Sequence, residues 1–299
     1  MRPDRPLLGI TLMLGFCLFA PIGDAMAKVL GARIPMLELV AARFGVQAVI
    51  LVPLIYAQGN AIRMSGRVFR LTILRTGLHI IGIGAMFLSL QFLPLADAVA
   101  IAFVMPFLML LLGHLVLNET VGKHRLGACA VGFIGTLLVI QPNFAAIGAP
   151  ALLPLLVAVV FSLFMLITRQ IAKEVGSVTL QAVSGLMASA LLFPLLALSS
   201  GTGIAALDPI WPQNGDLMLM LALGVTGTVA HLLMTGSLRY APTSTLAPMQ
   251  YLEIPVATLI GWIVFGHLPN GLATLGITIT IVAGLYIVRR EHGLSQQSN

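Results

Sequence analysis

Charge is scarce in this sequence. Lysine, arginine, aspartate and glutamate make up 9% of its 299 residues, against about 25% in a soluble domain. So few charges cannot cover a surface that faces water, which excludes a sizeable soluble domain. Cysteine is scarcer still. Cys17 and Cys129 both fall inside apolar stretches, so a disulfide framework is not expected and both read as small core residues. Local signatures of chemistry are missing too: the chain has no HExxH, no GxSxG and no Walker-type glycine loop. Catalytic residues, a cofactor, a metal and ATP as a direct energy source are therefore not expected.

What the chain has is apolar residues, 59% of the total. A membrane-spanning helix needs roughly 20 of them in a run. Such runs lie near 7–31, 34–57, 68–92, 95–117 and 123–141, then near 150–174, 177–200, 214–239, 243–266 and 270–289. The expectation is an all-α integral membrane protein with ten transmembrane helices. The start of the chain, with "AMA" at 25–27, resembles a secretory signal, but Pro21 and Asp24 interrupt its apolar run. It is read as the first span.

The net charge of +6 suggests nucleic acid until its distribution is considered. With the N-terminus cytoplasmic, thirteen of the sixteen basic residues fall on the inner side, among them Arg2, Arg5, Arg63, Arg67, Arg70, Arg75, Arg125 and Arg290. Lys28 and Arg33 fall outside, and Arg43 lies within the second span. That bias is a topology signal. Both termini are expected in the cytoplasm, and no nucleic-acid partner is expected.

The fourth and ninth runs begin alike, "SLQFLPLADAVAIAFVMPFLMLLL" from Ser89 and "SLRYAPTSTLAPMQYLEIPVATLI" from Ser237. Weaker matches pair Pro53 with Pro194 and "LGACAVGFIGTLLVI" with "LGITITIVAGLYIV", in the same order along the chain. Five spans per half is an odd number, so the second half enters the membrane from the opposite face. Two inverted five-helix repeats are predicted, residues 1–145 and 146–299, an arrangement used by secondary transporters with a site near the midplane.

These two halves, "ADAVAIAFVMPFLMLLLGHLVLNE" with its central proline and terminal Asn-Glu, and the glycine-rich fifth and tenth runs resemble the drug/metabolite transporter superfamily, EamA type. The likeness covers nearly the whole chain and is nearest to bacterial exporters of aromatic and other amino acids. It departs at His267, where the first half has Glu119. The resemblance implies a multi-pass carrier of the inner membrane exporting small metabolites, amino acids first, by alternating access. Cationic drugs or nucleotide-linked metabolites are the alternative cargo. A membrane-embedded enzyme is the rival class, and it lacks a cluster of catalytic groups.

Within the ninth run, Glu253 sits beside Pro255, and Pro106 marks the matching place in the fourth. Each proline frees a carbonyl four residues back, Tyr251 and Ala102, which lipid cannot satisfy. A mid-span carboxylate is either protonated packing glue or faces a cavity, and Glu253 is read as facing one. Gln250 shares its helical face. Tyr251, with the aromatic and sulfur-bearing Met86, Phe103 and Phe164, suits an apolar substrate body. His79 and His231 are further midplane candidates, with ordinary hydrogen-bonded packing the alternative. Asp24 and Lys28 form an i,i+4 pair that, with Glu38 and Arg43, makes either an outer gate or a structural ion cluster. Gly127, Gly132, Gly135, Gly271, Gly276 and Gly284 read as scaffold or as the contact of a homodimer; a monomer is equally allowed. A small-molecule substrate and the lipid bilayer complete the expected partners.

Overall fold

The structure, a computed structural model, describes residues 5–57, 64–140, 148–204, 207–213, 215–266 and 271–297. Arg2, Arg63 and His267 lie outside them. The described residues are helical without a strand: α1 Pro6–Gly31, α2 Met36–Ala57, α3 Gly66–Phe92, α4 Leu95–Ala102, α5 Met105–Leu117, α6 Lys123–Ile140, α7 Leu152–Ile171, α8 Ser177–Ser199 and α9 Asp216–Tyr240. Then follow the short α10 Thr243–Leu246, a 3-10 turn Ala247–Leu252, α11 Glu253–Phe265 and α12 Gly271–Gln297.

Among the described residues eight segments are long and apolar enough to cross a membrane, counting Thr243–Phe265 as one. The expected fourth span is not a continuous helix. It breaks at Phe103 and Val104, between α4 and α5, because Pro106 cannot donate to Ala102 and the chain tightens ahead of it. The expected ninth span is broken in the same way before Pro255, its middle wound as the 3-10 turn. Left-handed residues close the two matching half-helices, Asn118 (φ 52°) after α5 and Gly266 (φ 71°) after α11. Asparagine and glycine are the residues that tolerate this conformation.

The main helix pairings each join one helix of the first half to one of the second: α1 with α9, α3 with α7, α2 with α8, and α6 with α12. Exchanging the halves maps the first two pairings onto each other and the last two onto themselves. The backbones of α6 and α12 approach closely where a methyl group at Gly135 would lie 2.8 Å from the Gly276 carbonyl. These glycines thus pack two helices of one chain together. Outside, Leu198, Met218 and Trp211 are among many exposed apolar side chains, a surface suited to lipid.

Both ends of the bundle are tied by polar contacts. At the end holding Arg5, the Glu119 carboxylate accepts from Thr243 N (3.1 Å), Thr243 Oγ1 (2.7 Å) and Ser244 N (2.9 Å), with Arg169 Nε at 3.5 Å. Arg125 reaches Glu291 and Ser244 Oγ there. At the far end Arg33 pairs with Asp216 (3.1 Å) and the Glu38 carboxylate accepts from Ile210 N (3.1 Å). Lys28 donates to the Leu90 and Leu93 carbonyls, both at 2.7 Å, completing the C-terminal end of α3, where a cation is favoured.

One assignment in the charge ledger is corrected. Arg75 is no inner-surface charge; it is fully buried. Its Nε donates to Thr168 Oγ1 (2.7 Å), Nη1 to Ser184 Oγ (2.8 Å) and Nη2 to Thr235 Oγ1 (3.2 Å). Its plane lies over the Phe164 ring at 4.4 Å. The guanidinium is the charged group most easily stabilised by such a fork of hydroxyls and an aromatic face.

Candidate functional site

A cavity of about 70 Å³ lies between the halves, lined by Phe16, Asp24, Met86, Phe103, Phe161, His231 and Glu253 among others. α1, α3, the α4–α5 break, α7, α9 and the start of α11 all contribute. That volume holds a few waters and falls short of the roughly 300–1,000 Å³ of a small-molecule site. The cavity is therefore contracted in this state. Its walls are aromatic, and the polar groups on them are two carboxylates and one imidazole. Among the described residues no donor is hydrogen-bonded to the Asp24 or Glu253 side chain, and Glu253 is buried. A carboxylate at a helix centre costs about 2.5–3.5 kcal/mol on insertion scales, and here two without donors face one cavity.

The broken spans explain how Glu253 reaches the cavity. It is the first residue of α11 and follows the 3-10 turn without a gap. The 3-10 winding makes Glu253 N–H donate to Gln250 O, leaving Met249 O for the Cys17 thiol at 3.6 Å. Across the cavity, Phe107 N–H donates to Val104 O, so Phe103 O takes the Tyr251 hydroxyl at 3.3 Å. Each break thus hands a carbonyl to a side chain, as lipid-depth backbone requires.

Of the candidates read from sequence, Met86, Phe103, His231 and Glu253 line the cavity. Gln250 does not. It sits one turn from Glu253 with Nε2 at 3.2 Å from the sulfurs of both Met109 and Met165, forming a floor on the Glu119 side. The shared face is as expected, but a turn of 3-10 helix separates the depths of the two side chains. Tyr251 stacks on Phe103 at 5.4 Å with its other edge against α6; a methyl at Gly132 would lie 2.6 Å from its ring. His79 and Phe164 lie behind the wall: His79 is fully buried, 4.5 Å from the Phe164 ring, 4.4 Å from His231 and 5.0 Å from Phe44. The room left by Gly82 is taken by Phe161, whose Cδ2 would be 3.3 Å from an added methyl.

The four residues grouped as a gate also separate. Lys28 and Glu38 tie the far end as described above, while Asp24 lines the cavity and Arg43 lies behind His231. Asp24 and Lys28 do not pair, because the ammonium is spent on the α3 carbonyls. Arg43 Nη2 lies 2.7 Å from His231 Nδ1 and 3.4 Å from Gly227 O. Arginine only donates, so Nδ1 accepts and the imidazole proton sits on Nε2. The 3.0 Å approach of Nδ1 to Gly227 O is then a contact without a hydrogen.

Behind this pair runs a buried polar network that the sequence reading missed. Gln181 Nε2 donates to His231 O and Thr235 Oγ1, both at 2.8 Å, and Gln47 Nε2 donates to Gln181 O at 2.7 Å. The signal was present: single glutamines inside apolar runs deserve the same question as Glu253. Phe16 and Phe161 were missed as well, and nothing in an apolar run separates a cavity wall from ordinary packing.

Comparison with known proteins fits this architecture. The model of the EamA-like transporter family matches the chain twice, at residues 7–141 and 148–290. A riboflavin transporter of Rhizobium johnstonii is 31% identical over 73% of this chain and 69% of its own length. An S-adenosylmethionine uptake transporter of Rickettsia prowazekii is 26% identical over 94% of both chains. A pseudopaline exporter of Pseudomonas aeruginosa is 23% identical over 90% of this chain and 92% of its own. A solved crystal structure of a protein superposes with a TM-score of 0.73 at 21% identity, covering 93% of this chain and 94% of that one, a likeness that shows the fold alone. The chain belongs to the EamA-like transporter family of the drug/metabolite transporter superfamily, and it is a multi-pass transporter of the inner membrane.

Proposed function

We propose that this transporter is a secondary carrier that exports small amino-bearing metabolites with an apolar or aromatic body, amino acids first among them. The observation that carries the reading is the pair of donor-free carboxylates, Asp24 and Glu253, facing one aromatic-walled cavity. A substrate ammonium or amine supplies the donors they lack, and Phe16, Phe103 and Phe161 offer ring faces to its body and to the cation itself. The relatives named for S-adenosylmethionine and pseudopaline support a metabolite cargo. They are named for opposite directions of transport, so export rests on the resemblance to amino-acid exporters.

The transport cycle is alternating access of two inverted five-helix halves, residues 1–145 and 146–299, with ten spans and both termini in the cytoplasm. The double family match and the exchange symmetry of the helix pairings support that organisation. Opening toward the cytoplasm breaks the Glu119 tie and lifts the Gln250 floor; opening outward releases the Arg33–Asp216 and Glu38 ties.

Counterflow in proteoliposomes tests the reading. Vesicles preloaded with unlabelled phenylalanine should accumulate labelled phenylalanine, and the Glu253→Gln protein should not. Accumulation of riboflavin alone, indifferent to Glu253, would overturn an amino-bearing cargo.

A further inference from the structure

Among the described residues, buried side-chain nitrogens without a hydrogen-bond partner occur in one place. They are Arg43 Nη1, both ring nitrogens of His79, and His231 Nε2. The three side chains form one cluster, with Arg43 Nη2 2.7 Å from His231 Nδ1 and the two imidazole centroids 4.4 Å apart. A buried donor left unpaired is costly, and this cluster keeps several. Gln47 Oε1, on the same helix one turn from Arg43, also has no partner, so it does not relieve them.

His231 is the member of the cluster that lines the cavity. Arg43 fixes its tautomer, because a guanidinium on Nδ1 leaves the ring proton on Nε2. The two nitrogens of an imidazole point nearly opposite ways, so Nε2–H is directed away from Arg43. Phe16 and Phe161, which also line the cavity, stand against the ring in T-shaped contacts at 5.7 and 5.8 Å. The wall thus offers one fixed N–H donor, backed by a guanidinium, in the same cavity as the Asp24 and Glu253 carboxylates. Neither carboxylate takes that hydrogen. A donor backed by positive charge binds anionic oxygen best.

Resting on the reading that Asp24 and Glu253 receive a substrate amine, we propose that His231 Nε2–H is a subsite for the substrate's carboxylate, with Arg43 its positioning residue. The cargo is then a zwitterion, held by its ammonium on the two carboxylates and by its carboxylate on His231. In the contracted cavity Nε2 is covered, and widening of the cavity uncovers it. Arg43 keeps the imidazole in the donating form, so the wall cannot offer a lone pair there to a second amine. A simple amine engages only one end of the site.

Thermal-unfolding titrations of the purified full chain test this without requiring transport, since a ligand raises the midpoint according to its affinity. The ligands are phenylalanine, phenethylamine, which lacks the carboxylate, and phenylalaninamide, whose oxygen carries no charge. Wild type should bind phenylalanine at least tenfold more tightly than either analogue. Equal affinity for phenylalanine and phenethylamine overturns the proposal. In His231→Phe, which keeps a ring and removes the N–H, the preference should fall below threefold while phenethylamine binds within threefold of wild type. An undiminished preference overturns the proposal equally. If that variant does not fold, Arg43→Gln carries the test: it keeps a donor for Nδ1 and removes the charge. The preference should drop at least threefold and return in Arg43→Lys; no drop, or no return, overturns the role of Arg43. The amine reading fails by a different result. Binding of 3-phenylpropionate, which has no amine, as tightly as phenylalanine would sink that reading and leave the carboxylate subsite standing. Binding of none of the four would sink both.

Discussion

Glu253 owes its position to two neighbours rather than to its own chemistry. Pro255 forbids a helical bond to Tyr251, and the 3-10 winding before it sets the carboxylate at the start of α11. Replacing Glu253 with glutamine keeps the shape and removes the charge, so counterflow of phenylalanine should drop at least tenfold while the purified protein elutes as before. Tyr251 is the test of the break itself. Tyr251→Phe removes the donor to Phe103 O at no cost in volume. The loss of about 0.5–1.5 kcal/mol should appear as a lower thermal-unfolding midpoint in detergent, with cavity groups intact. An unchanged midpoint would mean that water takes over the Phe103 carbonyl. At this scale the sequence was legible for some of the groups whose burial is costly and not for others, such as Gln47, Gln181 and Arg75. Carboxylates and histidines in apolar runs pointed to Glu253 and His231, which line the cavity, and equally to His79, which lies behind its wall. Asp24 misled, because its i,i+4 relation to Lys28 suggests a partner that the α3 carbonyls in fact hold.

Among elements, the broken spans matter most. Their prolines were plain in the sequence, and the breaks fall beside them. What proline cannot reveal is the extent of a break, because it deletes only one bond. The rest is decided by who takes the freed carbonyls, and Tyr251 and Cys17 come from positions remote in sequence. The short α10 is held by Glu119, which accepts from two of its first N–H groups, a capping carboxylate borrowed from the other half. Glu119→Gln weakens that cap and its approach to Arg169. A cysteine at the buried position Thr245, in a protein lacking Cys17 and Cys129, should then react with a small maleimide several-fold faster than with Glu119 present. Equal rates would show that this tie is not what closes the Glu119 end. The assignment of Glu119 to a family motif was legible; its grip on α10 was not, because the two lie 124 residues apart.

For the whole molecule, the ledger of basic residues gave a lopsided distribution, and most of those residues do gather at the end holding Arg5. Arg75 is the exception, since a charge near a span end in sequence can be drawn inward by three hydroxyls. The two inverted five-helix halves proposed above would put the chain ends on one face. Cysteines added at each terminus of a Cys-free protein should therefore be modified, or protected, together by a membrane-impermeant maleimide in oriented vesicles; opposite behaviour would require an odd number of spans. The buried core also carries a charge balance of its own. Arg43 and Arg75 offset Asp24 and Glu253 when all four are ionised, so in the proposed cycle these four groups together would carry no net charge through the membrane field. A zwitterionic amino acid adds none, and its distribution should ignore the membrane potential. A singly charged cation adds one, worth about 2.3 kcal/mol per 100 mV, or roughly fifty-fold in its concentration ratio. The same cavity is thus indifferent to voltage for one cargo and strongly voltage-driven for another.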